Sequence, residues 1–352
     1  MFVFRGPFPE RFPVPGSKAG WNRIEWARTF REQALQALQF GDSVVGRVLF
    51  VACTPVARWM ISEILTRPDL ASVEIAGVVN LSPTAAIGKA NYDSYTDLIR
   101  EYAIPHYYCQ DVNEAGCVQF VTVQEPDLII QSGWSQKFRP EIMAIPRYGC
   151  IGEHPAPLPR GRGAACVNWA ILTGETEWGD SFFRMEERYD TGVVYAQRFF
   201  SIEPHDDVKT VYDRVARCSA EIVREHIVDW VAGRLHGLPQ DDSKATYYKR
   251  RRPSDGLFDF SRPAMDVYNA IRAQARPYPG AFFMATSGRA TGRKVMVWRA
   301  AYGGAAENPD AEHMAPGDDG SLSVVCGDGC VVRLIRVQVE NMPEIWGAEL
   351  VR

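Results

Sequence analysis

Residues 149–197 read GCIGEHPAPLPRGRGAACVNWAILTGETEWGDSFFRMEERYDTGVVYAQ. His154 follows a short apolar run in this stretch, and the loop PAPLPRGRG comes directly after it. Asp190 then opens a tight turn, DTG. A histidine that moves a proton, a carboxylate that tunes it, and a loop that presents backbone amides are components of an acyl-transfer site. The stretch therefore predicts acid–base chemistry centred on His154.

The sequence before this stretch alternates between strands and helices. Apolar runs at 45–52, 73–80, 127–132 and 148–153 are typical of buried strands, and helical spacing recurs at 56–65, 95–102, 140–145 and 208–235. This order predicts an α/β fold, a Rossmann-like doubly wound parallel sheet. Since active sites in such sheets lie at the carboxyl ends of the strands, His154 is expected there.

A second compositional unit begins near residue 245. It contains a helical pattern at 264–276 and short strands at 294–300, 321–326 and 331–338, separated by glycine-rich turns, which indicates a small β-rich domain. Residues 21–40 also have helical spacing and precede the main domain, either as an accessory element or as a dimer contact or substrate lid. We therefore predict three parts: a 1–43 extension, a 44–240 catalytic domain and a 241–352 C-terminal domain.

The bulk composition narrows the function classes. The chain has 352 residues with a net charge of −4, so no overall basic field favours nucleic acid as a partner. A GxGxxG fingerprint and a Walker A motif are both absent, and the eight scattered cysteines offer no zinc pattern, so we expect reduced thiols and no metal. The N-terminus is unlike a signal peptide and no apolar run reaches membrane-spanning length, so we expect a cytoplasmic protein without membrane contact.

Four blocks of the sequence closely resemble the folate-dependent formyltransferase superfamily, the methionyl-tRNA and amino-sugar formyltransferases. They are VLFVACTP, DLIIQSGWSQKFRPEIMAIPRYGCIG, the 149–197 stretch, and YKRRRPSDGLFDFSRPAMDVYNAIRAQARPYPGAF. The last block is most similar to the formyltransferase half of a bifunctional polymyxin-resistance enzyme, which formylates a UDP-linked amino sugar. The resemblance implies N10-formyltetrahydrofolate as the donor and a C-terminal OB-like barrel.

The resemblance also implies roles for particular residues. His154 and Asp190 match the family's catalytic histidine and aspartate, and Ser181 takes the last position of the family's GxT. Arg162 either binds an anionic group or pins the loop, and Trp134 either stacks on the pterin or belongs to the core. The basic run 249–252 either binds phosphates or is a solvated loop. The implied folate-binding residues are Gln136, Lys137, Phe138, Ala156, Pro157, Leu158, Pro159, Arg162, Glu186, Glu187, Arg188 and Tyr189.

The chain departs from the family pattern at Gly152. The family has asparagine two residues before the histidine, where it donates a hydrogen bond to the developing oxyanion; loss of one such donor typically costs ~10²–10³ in rate. Neighbours on a strand point to opposite faces, so Gly152 and His154 are expected to share a face and Glu153 to point away. Glu153 is therefore either a second base or a contact for the substrate amine, and the loop's backbone amides are candidates to hold the oxyanion.

The leading function is an N-formyltransferase acting on the amine of a small, nucleotide-linked amino sugar, with homodimerisation open. Three alternatives remain. One is a methionyl-tRNA formyltransferase, which the acidic charge and the C-terminal similarity disfavour. Another is a repurposed enzyme that formylates a natural-product amine or hydrolyses formyl-folate, which Gly152 motivates. The last is a folate- or nucleotide-binding module without catalysis.

Overall fold

The structure is a computed structural model that describes residues 46–286, 288, 290–306 and 314–351. The helix predicted at 21–40 and the 1–43 extension lie outside these residues. The described chain contains seven α-helices: α1 (Pro55–Thr66), α2 (Thr96–Glu101), α3 (Ala115–Val123), α4 (Pro140–Met143), α5 (Cys166–Leu172), α6 (Val208–Val231) and α7 (Ala264–Ala273).

Eight of its strands precede residue 240: β1 (Gly46–Ala52), β2 (Val73–Leu81), β3 (His106–Cys109), β4 (Leu128–Ser132), β5 (Cys150–His154), β6 (Arg162–Gly163), β7 (Glu177–Arg184) and β8 (Val194–Ser201). All of these except β6 form one sheet in the order β3-β2-β1-β4-β5-β7-β8. The first five are parallel, whereas β7 pairs antiparallel with both β5 and β8. The predicted α/β fold with a Rossmann-like, doubly wound parallel sheet is confirmed: the sheet is mostly parallel, with the antiparallel strands β7 and β8 at one edge.

The parallel strands are apolar because helices cover both faces of the sheet. In β1 every residue from Val48 to Ala52 is fully buried. Helix α1 begins at Pro55, a residue suited to the first helical turn, and buries Val56, Met60 and Ile64 at helical spacing. Helix α6 begins with a capping box, in which Asp207 accepts from the Thr210 amide. The capping box gives partners to the Asp207 and Thr210 amides at this end of the helix.

The C-terminal part forms a second, antiparallel sheet, which confirms a separate β-rich unit. Its strands are β10 (Ala281–Met284), β11 (Lys294–Ala305), β12 (Met314–Pro316), β13 (Leu322–Val325), β14 (Cys330–Val339) and β15 (Glu344–Trp346), after the short β9 (Tyr247–Tyr248). The order is β10-β11-β14-β13-β12, with β15 also paired to β14. Helix α7 packs on this sheet through Val267 and Ile271.

Several contacts join this unit to the part of the chain that carries the first sheet, and two of them involve α5 and the loop after His154. Asn168 in α5 is buried and its Nδ2 donates to the Ala273 carbonyl at the end of α7, at 2.7 Å. Strand β6, within the proline- and glycine-rich loop after His154, pairs with β9. The loop that follows the histidine is therefore held by residues beyond 240 as well as by the first sheet.

Candidate active site

His154 is the last residue of β5, which lies between β4 and β7 in the sheet. The sequence predicted it just beyond the strand, at the same carboxyl edge. Its side chain is 9% exposed, with Nε2 2.8 Å from the Gly161 carbonyl oxygen and Nδ1 3.9 Å from Asp190 Oδ1. Both ring nitrogens therefore face acceptors, which favours the imidazolium form because only that form donates from both.

The surroundings of His154 also act on its pKa. Burial on its own lowers the pKa of an imidazole, but contacts with the Cys166 sulfur, the Asp190 carboxylate and the Gly161 carbonyl outweigh it and hold the pKa of His154 well above its usual value. The Cys166 Sγ lies 3.3 Å from Nε2. The raised pKa favours the imidazolium form at neutral pH, which can act as an acid and as a positive charge, and the role of His154 as the base expected from the sequence stays a prediction.

Asp190 occupies the turn that the sequence predicted. Its φ of 57° is in the left-handed region, which aspartate tolerates better than most residues. Its Oδ2 accepts from the Gly163 amide at 2.8 Å while Oδ1 faces the histidine. The carboxylate thus joins the turn, the loop and the imidazole in one arrangement.

The amides of the loop after His154 are already used. Pro155, Pro157 and Pro159 have no N–H, and every other residue from 156 to 164 donates within the protein. Examples are Gly161 to Thr246 Oγ1 and Leu158 to Ser181 Oγ. These amides hold the loop in place, so the hypothesis that they stabilise the oxyanion is not supported.

Arg162 also holds the loop after His154 in place. Its side chain is fully buried, and the guanidinium donates to Gln240 Oε1, Tyr247 Oη and Asp242 Oδ1 at 2.7–3.1 Å. A guanidinium with these partners has little capacity left for a ligand anion. Of the two roles that the sequence left open, the geometry favours pinning of the loop.

Gly152 has no room for the family's asparagine. A Cβ there would lie 2.6 and 2.7 Å from ring carbons of Phe183 and 3.3 Å from Met185 Cγ. Phe183 is the direct cross-strand neighbour of Gly152 on β7, and its ring also meets the His154 ring edge to face. An aromatic ring therefore fills the space that the oxyanion donor would occupy.

Glu153 points to the opposite face of the sheet, as expected from strand alternation. It is buried, its Oε2 accepts from Ser132 Oγ at 2.6 Å, and it interacts electrostatically with the buried Asp180. Asp180 in turn accepts from Ser219 Oγ in α6 at 2.5 Å. Burial raises the pKa of both carboxyl groups, and the charge of Glu153 raises that of Asp180 further.

A cavity of about 760 Å³ opens in front of His154 and Asp190. Most of the predicted folate-binding residues line it, namely Gln136, Lys137, Phe138, Arg162, Glu186, Glu187, Arg188 and Tyr189. Trp134 lines it too. Residues 156–159 are not part of its described lining; Ala156 and Leu158 are buried beneath the loop, where Ser181 Oγ donates to the Ala156 carbonyl. His154, Asp190 and eight of the twelve predicted folate-binding residues therefore line one cavity.

The sequence did not identify several other lining residues. Gln131, Cys166, Phe183, Met185 and Tyr212 all border this cavity. For Gln131 a signal existed: it is the fourth residue of the apolar strand LIIQS, where a polar residue interrupts a buried run close to the carboxyl end. The others became visible only once β7 and α6 were placed beside β5.

A second cavity of about 620 Å³ adjoins the first, and the two share Glu153, Ala165, Tyr212 and other residues. Its lining is basic, with Lys89, Arg250, Arg251 and Arg252. Arg251 also lies over the Trp169 ring, 5.0 Å from its centroid. The run 249–252 thus contributes three of its four residues to a concave surface beside the catalytic pair.

The described part of the chain has no helix long and apolar enough to cross a bilayer. It also has no group of three or more histidine, cysteine, aspartate or glutamate residues arranged to hold a metal ion.

Solved structures with this fold include several formyltransferases. HypX from Aquifex aeolicus, solved with tetrahydrofolic acid, is 20% identical with a TM-score of 0.60 over 87% of this chain, and the match spans 46% of HypX. WlaRD, a sugar 3N-formyl transferase solved in the presence of dTDP and 5-N-formyl-THF, is 14% identical with a TM-score of 0.60, covering 85% of this chain and 99% of WlaRD. An N-formyltransferase from Helicobacter canadensis was solved in complex with folinic acid and dTDP-3-aminofucose. It is 13% identical with a TM-score of 0.59, and the match covers 82% of this chain and 98% of that enzyme.

Two protein-family models match the sequence itself. The model for formyl transferase matches residues 62–227, and the model for the formyl transferase C-terminal domain matches residues 251–352. The two matches cover the strands β2 to β8 with His154 and Asp190, and the β-rich unit that follows them. The chain belongs to the formyltransferase family.

Proposed function

We propose that the protein is an N-formyltransferase that moves a formyl group from N10-formyltetrahydrofolate to the amine of a nucleotide-linked amino sugar. The observation that carries the proposal is the His154–Asp190 pair, with Nδ1 and Oδ1 3.9 Å apart, in the wall of the first cavity, beside Glu153, Pro155 and Ala164, which also line the second. One cavity has an aromatic and apolar wall suited to a pterin, and the other is basic.

The donor cavity offers contacts that fit a folate. Trp134, Phe138 and Met143 provide flat or apolar surface, and Lys137 and Arg188 provide positive charge for a glutamate tail. Folates or formyl-folates are bound in the solved structures of HypX, WlaRD and the H. canadensis enzyme. These points support N10-formyltetrahydrofolate as the donor.

The second cavity supports a phosphate-bearing acceptor. Arg250, Arg251, Arg252 and Lys89 give it four cationic side chains, and guanidinium groups bind phosphate oxygens in bidentate geometry. WlaRD and the H. canadensis enzyme were solved with dTDP or a dTDP-linked amino sugar. A nucleoside diphosphate at this basic surface leaves the sugar amine directed toward His154.

The chemistry follows from the charge state of the pair. The uncharged acceptor amine attacks the formyl carbon, a C–N bond forms, and the formyl oxygen takes up negative charge next to the imidazolium of His154. When the bond from carbon to N10 breaks, His154 gives its proton to N10. The proton lost by the amine restores the imidazolium, and Asp190 holds the ring in orientation throughout.

The test is to incubate the protein with N10-formyltetrahydrofolate and a panel of dTDP- and UDP-linked amino sugars, with the matching hydroxyl sugars as controls. We expect tetrahydrofolate release together with a formylated amino sugar detected by mass spectrometry. Absence of transfer to every amine in the panel would contradict the proposed acceptor class.

A second candidate, hydrolysis of the formyl donor, is favoured by the filled space above Gly152, because a rebuilt oxyanion site can serve a different nucleophile. The same assay without an acceptor separates the two. Formate release that an amine does not suppress indicates hydrolysis, whereas release only with an amine supports transfer.

A further inference from the structure

A formyltransferase needs a donor for the oxyanion, and neither the family position nor the loop can supply one here. The Gly152 position is filled by the Phe183 ring and Met185. The amides of residues 156–164 donate elsewhere in the protein. A buried negative charge without a hydrogen-bond donor is costly, so another group must face the formyl oxygen.

Gln131 lies directly beside the missing side chain. In the parallel ladder between β4 and β5, Gln131 is paired with Gly152 and Ser132 with Glu153. Paired residues on neighbouring strands point to the same face of a sheet. The Gln131 side chain therefore shares a face with Gly152 and with His154, two residues further along β5, while Ser132 and Glu153 point away together.

The side chain of Gln131 leans toward the carboxyl edge, where His154 lies. Its Nε2 donates to the Trp134 carbonyl at 3.2 Å, and Trp134 follows β4 at that edge. A carboxamide nitrogen has two N–H bonds, so this contact orients the group and leaves the second N–H for a ligand. Gln131 is half-buried and lines the same cavity as His154.

Other polar side chains of the cavity are less suited to this task. Gln136 is held at both ends of its amide, accepting from the Val112 N–H and donating to the Gln110 carbonyl. The Arg162 guanidinium is occupied by Gln240, Tyr247 and Asp242. Gln131 has the functional group of the absent asparagine, on the adjacent strand and the same face.

Building on the proposed function, we infer that the Gln131 carboxamide is a catalytic group that donates its free Nε2–H to the formyl oxygen. The amide donor has moved from β5 to β4, and an aromatic ring fills the space that it left. His154 and Gln131 then approach the oxygen as a cation and a neutral donor.

A pair of folate analogues tests this without an acceptor. We expect 10-formyl-5,8-dideazafolate to bind the wild-type protein more tightly than 5,8-dideazafolate. In Gln131→Leu this preference should fall about 2- to 10-fold, the effect of one net hydrogen bond. Gln131→Asn should retain part of it, and Gln119→Leu, a change on the exposed side of α3, should retain all of it. A general disturbance of the cavity would weaken the binding of both analogues alike. It would therefore leave the ratio of their dissociation constants unchanged.

Turnover gives the second readout. Gln131→Leu should lower kcat ~10²–10³-fold with little change in KM for the donor, as the loss of one oxyanion donor does.

An unchanged preference for the formyl ligand in Gln131→Leu, or none in the wild type, overturns the role of Gln131 even if formyl transfer proceeds. If the wild type binds neither analogue, this result contradicts both the assignment of a folate donor and the role of Gln131. No transfer to the amine panel with an intact preference contradicts only the acceptor.

Discussion

At the residue scale the main feature is that the surroundings of His154 raise its pKa well above the usual value. A solvated histidine near its usual pKa is mostly neutral at pH 7, whereas Asp190, Cys166 and the Gly161 carbonyl favour the charged form here. In the proposed mechanism, this positive charge beside the formyl oxygen supplies both electrostatic stabilisation and the proton for the leaving nitrogen. The sequence identified the residue, but its protonation state depends on contacts made through folding.

We therefore predict that His154→Gln lowers kcat by about 10²–10⁴-fold, the range for loss of a general acid. In the wild type the alkaline limb of the kcat profile should lie above pH 6.5, since the folded environment raises the pKa of His154. That limb should disappear in His154→Gln. The measurement is kcat from pH 5.5 to 9.5. Persistence of the limb in His154→Gln would assign it to another group.

The buried carboxyl pair gives a stability prediction at the same scale. The pKa values of Glu153 and Asp180 are raised on folding, so the native state binds more protons than the unfolded state above the unfolded pKa near ~4. The free energy of unfolding should therefore fall as pH rises toward the folded pKa. Asp180→Asn keeps the partners Glu153 and Ser219 but removes one ionisation.

We expect urea unfolding of Asp180→Asn to show a smaller loss of stability between pH 5 and pH 8 than the wild type shows. The matched control is Asp213→Asn, on the exposed side of α6, where Lys209 is a surface partner. It should leave the pH dependence close to wild type. Equal slopes for wild type and Asp180→Asn would mean that the pair does not titrate as inferred.

At the element scale, the close fit of β5 against β7 decides what the site can contain. Four of the five parallel strands, β1, β2, β4 and β5, were predictable since continuous apolar runs mark them, whereas the fifth, β3 with the sequence HYYC, was not predicted. Strands β7 and β8 were not, because their alternating polar residues lie within a stretch that was read for its catalytic motif. The antiparallel return of β7 brings Phe183 next to Gly152. No inspection of residues 149–154 alone could have placed that ring.

This fit predicts that Gly152→Asn destabilises the protein instead of restoring the family site. The new Cβ would approach the Phe183 ring to 2.6 Å, and such overpacking typically costs about 1–3 kcal/mol. Gly152→Asn combined with Phe183→Ala should be less destabilised than the sum of the two single changes. Urea unfolding of the four proteins measures this coupling, and strict additivity would show that the ring does not limit the position.

At the scale of the whole molecule, the two sheets depend on a shared set of contacts. The C-terminal β-rich unit was predictable from its glycine-rich turns and short strands, but its attachment was not, because it rests on single buried polar groups. Asn168 reaches the Ala273 carbonyl, and Arg272 donates to the Asp206 carbonyl before α6. The pairing of β6 with β9 ties the catalytic loop to the same junction. Residues on both sides of the 240/241 boundary therefore shape the cavity.

The corresponding prediction is that residues 44–352 unfold as one cooperative unit and that Asn168→Ala weakens the whole of it. The change leaves the buried Ala273 carbonyl without its donor, which costs about 1–3 kcal/mol. Calorimetry should show one transition with matching calorimetric and van't Hoff enthalpies for the wild type, and the same single transition at lower temperature for Asn168→Ala. Gln119→Ala, an exposed change on α3, should leave the midpoint within the range of a neutral surface substitution. Two separate transitions, with only one of them shifted by Asn168→Ala, would mean that the sheets are independent and that the catalytic loop is supported by the first sheet alone.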